Sequence, residues 1–202
     1  MKEIKLIIFD FDGVIEDNYE KHFELSSKEF RNLTREEHKQ LFDGNVFVEL
    51  EKLRPRNTGF PLPDNFNEHK ITLVTKPEIK RCLGRLQEKY LLGIVSSARE
   101  SGIKTYLERN VLTEYFSFVY GAQTSRSIKE KICMVKEQFH LSNKEIIFVT
   151  DTLGDIREAN EAGILTIAVD FGFHERERLE KGNPVAIVST FSNIEQEVER
   201  LS

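Results

Sequence analysis

The stretch 4–13 reads IKLIIFDFDG and decides the fold that we predict for the chain. Its first six residues are almost all apolar and rich in Ile, which is typical of a strand buried on both faces of a sheet. Asp10 and Asp12 follow two residues apart, so in an extended backbone their side chains point the same way. Gly13 allows a tight turn close to a ligand. The stretch therefore predicts a buried strand that ends in a pair of carboxylates.

Similar short apolar runs recur along the chain, separated by segments with helical periodicity. Ser127 with Glu130 predicts one helix start, Gly163 a helix end, and Ser192 with Glu195 the start of the last helix. The alternation predicts the α/β class, with a Rossmann-like parallel sheet core flanked by helices. The runs are Leu91–Val95, Phe116–Tyr120, Ile146–Val149, Leu165–Val169 and Ala186–Val188.

The segment 16–75 interrupts this alternation and contains no convincing buried strand. Apolar residues recur at roughly helical spacing from Tyr19 to Leu33, Thr34 with Glu37 predicts a second helix start, and 46–53 is typical of a third helix. A loop marked by Pro and Gly follows. We predict a small helical domain over 16–75, inserted into a core made of 1–15 and 76–202. Arg54 and Arg56 in its loop are candidate anion contacts.

Reactive side chains follow the predicted strands at the edge where open α/β sheets bind ligands. Ser96 follows the run 91–95 and Asp151 follows the run 146–149. Asp155 lies one helical turn after Asp151 on the same helix face. Together with Asp10 and Asp12, these carboxylates would repel one another strongly. A hard divalent cation relieves that repulsion, and oxygen-only ligands indicate Mg²⁺.

Composition and charge exclude several classes of function. The net charge is -5, and the basic residues are spread along the chain, so we expect no nucleic-acid partner. No apolar run approaches membrane-spanning length or resembles a signal peptide, so we expect no membrane partner and a cytoplasmic location. The cysteines and histidines show no paired metal spacing, and the histidines are interpreted as surface or capping residues. No segment reads as a self-association surface, so the oligomeric state stays open.

These motifs together resemble the haloacid dehalogenase superfamily of phosphatases. The run Asp10-Phe11-Asp12-Gly13-Val14 is similar to its first motif, Ser96 after Ile94-Val95 to its second, and 151–155 to its fourth, although Thr150 stands where the family most often has Gly. The helical insertion matches the family's C1-type cap in position, as in subfamily IA. Asp170-Phe171-Gly172-Phe173 resembles the phosphoglycolate phosphatase-like branch.

The resemblance implies a role for each of these residues. Asp10 would be the nucleophile that forms an aspartyl-phosphate, and Asp12 the acid and base that serves the leaving group and the water. Ser96, with backbone N–H groups around Ser97, would bind the phosphoryl group. Asp10, the backbone carbonyl of Asp12, and Asp151 would hold Mg²⁺, with Asp155 beside it.

The third motif of the family requires a lysine, for which Lys129 and Lys131 are the candidates. With Ser127 as the N-cap, Lys129 falls in the first helical turn near the sheet edge, so we predict Lys129. The leading hypothesis is a phosphatase acting on a small phosphorylated metabolite. The alternatives are a sugar phosphomutase of the same superfamily and a non-catalytic binding module on the same scaffold. Asp12 favours transfer from oxygen, because an oxygen leaving group needs a proton.

Overall fold

The computed structural model describes residues 4–30, 32–53 and 74–202 of the chain. Within these ranges, six strands form one parallel sheet in the order β3-β2-β1-β4-β5-β6. This is the strand order of the Rossmann fold, so the predicted α/β class is confirmed. The strands are β1 (Leu6–Phe9), β2 (Leu91–Val95), β3 (Val119–Tyr120), β4 (Ile146–Thr150), β5 (Leu165–Val169) and β6 (Ala186–Val188).

The strand β1 lies in the middle of the sheet and is buried along its whole length. Phe9 pairs with Ile94 of β2 on one side and with Val149 of β4 on the other. The three strands therefore end within one residue of one another. The residues that follow them emerge at one edge of the sheet, as the sequence predicts.

Alternate residues of the strands enter two separate apolar layers, one on each face of the sheet. Ile7 and Phe9 belong to the larger layer, where Phe9 stacks on Phe191 with a ring separation of 5.9 Å. Leu6 and Ile8 belong to the layer on the opposite face. A strand that buries both faces explains why the run 4–9 is apolar with almost no alternation.

Helices cover both faces of the sheet, and three of them lie in the described part of the insertion that follows β1. Their bounds are α1 (Tyr19–Glu29), α2 (Arg35–Gln40), α3 (Val46–Leu53), α4 (Pro77–Gln87), α5 (Glu100–Arg109), α6 (Ile128–Phe139), α7 (Leu153–Ala162), α8 (Arg176–Leu179) and α9 (Phe191–Leu201).

Most of the predicted helix ends agree with the structure. Ser127 caps α6 by accepting the N–H of Glu130 at 3.2 Å, and Gly163 ends α7 in the left-handed region with φ of 78°. The predicted start of the last helix is wrong. Thr190 caps α9, while the Ser192 hydroxyl donates to Glu78 of α4 at 2.7 Å. Ser192, which the sequence pattern predicts as the cap of the last helix, therefore contributes to the packing of α9 against α4 instead.

The helices α1, α2 and α3 pack over the carboxyl end of the sheet. Lys39 of α2 forms an ion pair with Glu175 at 2.7 Å, and Arg178 of α8 binds Glu36. The helical content predicted for this insertion is present. Its domain boundaries at 16 and 75 stay predictions, and Arg54 and Arg56 lie outside the described residues.

The insertion and the core meet backbone to backbone at Gly154 in the first turn of α7. Its N–H donates to the Phe42 carbonyl at 2.8 Å. A Cβ atom at this position would lie 2.2 Å from the Gly44 carbonyl oxygen. Only a residue without a side chain allows the two backbones to meet, so Gly154 seats the insertion on the core.

We predict that Gly154→Ala destabilises the protein by about 1–3 kcal/mol, because the new methyl group overpacks a backbone contact. Urea unfolding would measure the change. Gly84→Ala is the matched control, since a Cβ atom on this helical glycine would have only Tyr115 nearby, at an ordinary 3.8 Å. The control should be neutral or stabilising by up to about 1 kcal/mol. Equal losses in both variants would contradict the role of Gly154.

Candidate active site

Asp10 lies directly beyond β1 and is only 6% exposed. Its N–H donates to the Val149 carbonyl at 2.8 Å, which continues the pairing with β4 for one residue past the strand. Its carboxylate accepts the N–H of Phe11 at 2.7 Å. These bonds hold the side chain at the sheet edge.

Asp12 is half-buried and turned toward the same pocket by the bend that follows. Gly13 adopts a φ of 75°, in the left-handed region that favours glycine. Asn18 donates to Asp12 Oδ1 at 2.6 Å and to Glu16 at 3.0 Å. Asn18 stands at the N-cap of α1, yet its side chain makes no capping bond there. Sequence reasoning missed it, because Asn at a helix start normally reads as a cap.

Asp151 is fully buried and directly follows the end of β4. Its Oδ2 accepts the N–H of Phe173 at 2.6 Å, while its Oδ1 has no hydrogen-bond partner among the described residues. A Cβ atom on Gly13 or on Gly172 would lie 1.9 Å or 2.3 Å from Oδ2, so only glycine allows the backbone to come this close to the oxygen at these two positions. The carboxylate is thus enclosed, with one oxygen unsatisfied.

Asp155 lies in the first turn of α7, after the N-cap residue Thr152, and lines the pocket. The Thr150 hydroxyl donates to Asp155 Oδ2 at 3.0 Å. Thr150 is the residue that stands where the resemblance leads one to expect Gly. In this chain its side chain orients Asp155.

The charges of these acids act on one another. Burial, followed by the charges of Asp155, Asp151 and Asp12, raises the pKa of Asp10 well above its ordinary value. Burial raises the pKa of Asp151 as well, and the nearby charges of Asp155 and Asp12 add to that effect. A cluster of this kind is unfavourable unless protons or a cation neutralise it.

The donor set fits a magnesium ion. Among the described residues, no three His, Cys, Asp or Glu side chains converge in the arrangement of a preformed metal cage. Mg²⁺ needs no such cage, since it keeps several waters and is held by one or two carboxylates. The unsatisfied Asp151 Oδ1, and the burial and mutual repulsion that raise the pKa values of Asp10 and Asp151, favour the binding of a cation by these residues.

The structure brings Lys131, and not Lys129, to the site. The Lys131 ammonium is fully buried and donates to the Ser96 carbonyl at 2.6 Å. The Lys129 ammonium is exposed and lies 3.1 Å from Glu161. The predicted placement of Lys129 near the sheet edge therefore differs from the structure. Lys129 and Lys131 are two residues apart, and an α-helix turns about 200° over two residues, so their side chains point to nearly opposite sides of α6.

Ser96 and Ser97 both line the pocket, as predicted. Ser96 is buried and its hydroxyl accepts the N–H of Ala98 at 3.2 Å. The following helix starts only at Glu100, so Ser97 lies in the loop before α5 rather than at its first turn.

Two histidines are buried, which corrects their interpretation as surface or capping residues. His174 accepts the N–H of Leu153 at Nδ1 and bonds the Lys39 carbonyl through Nε2 at 2.9 Å, so it bridges α7 and α2 as the neutral Nε2–H tautomer. Burial lowers its pKa to about 4. His38 packs against Tyr19 and Phe173. His69 lies outside the described residues.

The family match accounts for this arrangement. Residues 7–169 match the family model of haloacid dehalogenase-like hydrolases. The chain belongs to this family. The resemblance of the chain to this superfamily is therefore confirmed.

Several curated relatives of this haloacid dehalogenase-like hydrolase are named phosphoglycolate phosphatase. The protein from Synechococcus elongatus is 24% identical over 98% of this chain and 99% of its own length. The protein from Photorhabdus laumondii is 30% identical over 65% of this chain, and that from Escherichia coli K12 is 26% identical over 58%. Those two matches span only 58% and 48% of the relatives' own lengths.

Solved structures share the fold over nearly the whole chain. A predicted phosphoglycolate phosphatase from Haemophilus somnus superposes with a TM-score of 0.75 at 20% identity, covering 98% of this chain and 99% of that one. CbbY from Rhodobacter sphaeroides, solved in complex with phosphate, superposes with a TM-score of 0.76 at 15% identity, covering 95% and 96%. In the part of the chain that the structure describes, no helix has the length and apolar character needed to cross a membrane.

We predict that Asp151→Asn raises the melting temperature of the cation-free protein and removes its stabilisation by Mg²⁺. The amide keeps an acceptor for Phe173 and takes away a repelling charge. In the wild type, the raised pKa values make stability fall as the pH rises above about 4, since the folded state binds more protons than the unfolded state. Thermal unfolding between pH 5 and 8, with EDTA or with Mg²⁺, would measure both effects.

The matched control for this prediction is Asp17→Asn, which removes an exposed charge paired with Lys76. It should keep the Mg²⁺-dependent rise in melting temperature. A rise of the same size in Asp151→Asn would show that Asp151 does not hold the ion.

Proposed function

We propose that this protein is a Mg²⁺-dependent phosphatase that hydrolyses a small phosphorylated metabolite through an aspartyl-phosphate on Asp10. The observation that carries the proposal is the pairing of Asp10 and Asp12 in one pocket, where Asn18 orients the second acid. A nucleophile and a proton carrier two residues apart suit a leaving oxygen that needs a proton.

Asp10 would attack phosphorus, so that a bond forms between its carboxylate oxygen and phosphorus while the bond to the leaving oxygen breaks. Asp12 gives its proton to that oxygen, and the alcohol departs. Asp12 then takes a proton from a water molecule, which attacks phosphorus and releases phosphate and Asp10. Its half-buried position at the pocket, with one oxygen held by Asn18, leaves the carboxyl able to exchange a proton with both groups.

The phosphoryl oxygens would be bound by Ser96, by N–H groups near Ser97, and by Lys131. The Lys131 ammonium reaches the Ser96 carbonyl from below the pocket, so it sets the position of Ser96 and adds positive charge there. Burial lowers the pKa of this lysine, while the charges of Asp155 and Asp10 act in the opposite direction and favour the ammonium form.

Asp10, the Asp12 carbonyl, and Asp151 would hold Mg²⁺, with Asp155 beside them. When bound, the ion neutralises charge between the anionic nucleophile and the anionic substrate. The names of the curated relatives make phosphoglycolate the first ester to test, and the proposal keeps the cytoplasmic location predicted from the sequence.

The decisive experiment measures phosphate release by wild type and Asp10→Asn from a chromogenic phosphate ester and a panel of phosphorylated metabolites, with Mg²⁺ or with EDTA. The wild type should turn over with Mg²⁺ only. Asp10→Asn should fold and keep under about 1% of the activity, because an amide is a poor nucleophile. Activity above a few per cent in the variant would rule out the covalent mechanism.

Two other outcomes would favour the alternatives. Isomerisation of a sugar phosphate with little phosphate released would favour a phosphomutase. Binding of a phosphorylated compound without turnover on the whole panel would favour a binding module.

The two lysines allow a matched comparison. We expect Lys131→Met to lower kcat/KM by about a hundredfold, the size of the loss when one preorganised donor is removed. Lys129→Met, two residues away on α6, should stay within about twofold of wild type, because its ammonium pairs with Glu161 outside the site. Steady-state kinetics and a thermal melt of each variant would separate catalysis from folding. If Lys129→Met lost more activity than Lys131→Met, the prediction of Lys129 made from the sequence would be correct.

A further inference from the structure

The outer wall of the pocket, opposite the sheet edge, has an unusual composition for a phosphate site. Phe42, Gly44 and Val46 of the insertion line it, together with Phe173 and Glu158 of the core. Among the described residues that line the pocket, no lysine or arginine is present. The described part of the wall that would face the leaving group is therefore apolar, with one acidic side chain.

Glu158 is held firmly at this wall by three hydrogen bonds from two different elements. Its Oε1 accepts from Asn45 of the insertion at 2.8 Å. Its Oε2 accepts from the Ser127 hydroxyl at 2.7 Å and from the Lys129 N–H at 3.1 Å, both at the start of α6. These donors fix the carboxylate in place, so a substrate would meet its charge at a constant position.

Glu158 and Asp155 both line the pocket and lie about one helical turn apart on α7, so the charge of Glu158 is close to the acid cluster. Two basic side chains on neighbouring elements are engaged elsewhere: Arg157 donates to the Asp43 carbonyl at 2.6 Å, and Lys39 pairs with Glu175. A second anionic group on a substrate would lie against Glu158 and an apolar surface, where an unpaired charge is costly.

We propose that this pocket selects phosphate monoesters whose leaving group carries no anion of its own, and that Glu158 is the residue that disfavours a carboxylate or a second phosphate there. This inference rests on the proposed phosphatase function and names its substrate class. Neutral and cationic leaving groups are accepted, because the wall offers either apolar contact or an attractive charge.

The test uses three phosphate esters with two-carbon leaving groups: 2-hydroxyethyl phosphate, phosphoethanolamine and 2-phosphoglycolate. They are neutral, cationic and anionic beyond the phosphate. We expect kcat/KM for the first two to exceed that for 2-phosphoglycolate on the order of tenfold, the effect of one like charge several ångströms away at the surface of a protein. If 2-phosphoglycolate is the best of the three, the inference is wrong.

The role of Glu158 is tested with Glu158→Gln. The ratio of kcat/KM for 2-phosphoglycolate to that for 2-hydroxyethyl phosphate should rise on the order of tenfold. The ratio cancels any general loss of activity. Glu161→Gln is the matched control, since it removes the same charge from the same helix at a side chain that is 63% exposed and paired with Lys129. Its ratio should equal that of wild type, and equal shifts in both variants would refute the assignment to Glu158.

Failure of the inference is distinguishable from failure of the proposed function. If wild type hydrolyses neither these esters nor para-nitrophenyl phosphate, the phosphatase proposal itself falls. If only para-nitrophenyl phosphate is hydrolysed, the three esters are tested as inhibitors of that reaction. The ratio of their inhibition constants then replaces the ratio of kcat/KM. If Glu158→Gln does not fold, the order of the three esters with wild type still decides the substrate class.

Discussion

The central constraint in this structure is the parallel pairing of β1 with both β2 and β4. Because Phe9 is level with Ile94 and Val149, the chain has to place Asp10, Ser96 and Asp151 at the same sheet edge. The apolar run of β1 makes this arrangement stable, since it can be buried only in the middle of the sheet. Bringing the carboxylates together here is unfavourable, because burial and the repulsion between their charges raise the pKa values of Asp10 and Asp151. The core therefore holds together a cluster that favours a cation.

The helical insertion gives this sheet edge its outer wall. It is seated by backbone at Gly154 and by side chains at His174, which bonds α7 on one side and the Lys39 carbonyl on the other. His174 immediately follows Phe173, whose N–H binds Asp151. Phe173 and His174, in one short segment after β5, thus contact both the acid cluster and the insertion. This segment therefore links the position of the insertion to that of the acids.

The helix α7 illustrates how one element serves several purposes through its periodicity. Asp155 and Glu158 lie about one turn apart and both line the pocket, whereas Glu161 one turn further is exposed. Glu158 also binds Ser127 at the start of α6, where the side chain of Lys129 turns away and that of Lys131 enters the core. The substrate class that we propose follows from this placement of a carboxylate where a second anion on the substrate would lie.

The sequence by itself determined the sheet, the helical insertion and the strand-end residues Asp10, Asp12, Ser96, Asp151 and Asp155. These features depend on local periodicity and on the rule that parallel strands end at one edge, both of which can be read along the chain. Only the tertiary structure showed that Lys131, and not Lys129, reaches the Ser96 carbonyl, and it revealed the contacts of Asn18, Thr150, Glu158 and His174. The physical reason is that these contacts depend on which face of a helix meets which neighbour. Asn18 shows this most simply: its position is that of a helix cap, yet its side chain makes no capping bond and its amide nitrogen donates to Asp12 and Glu16.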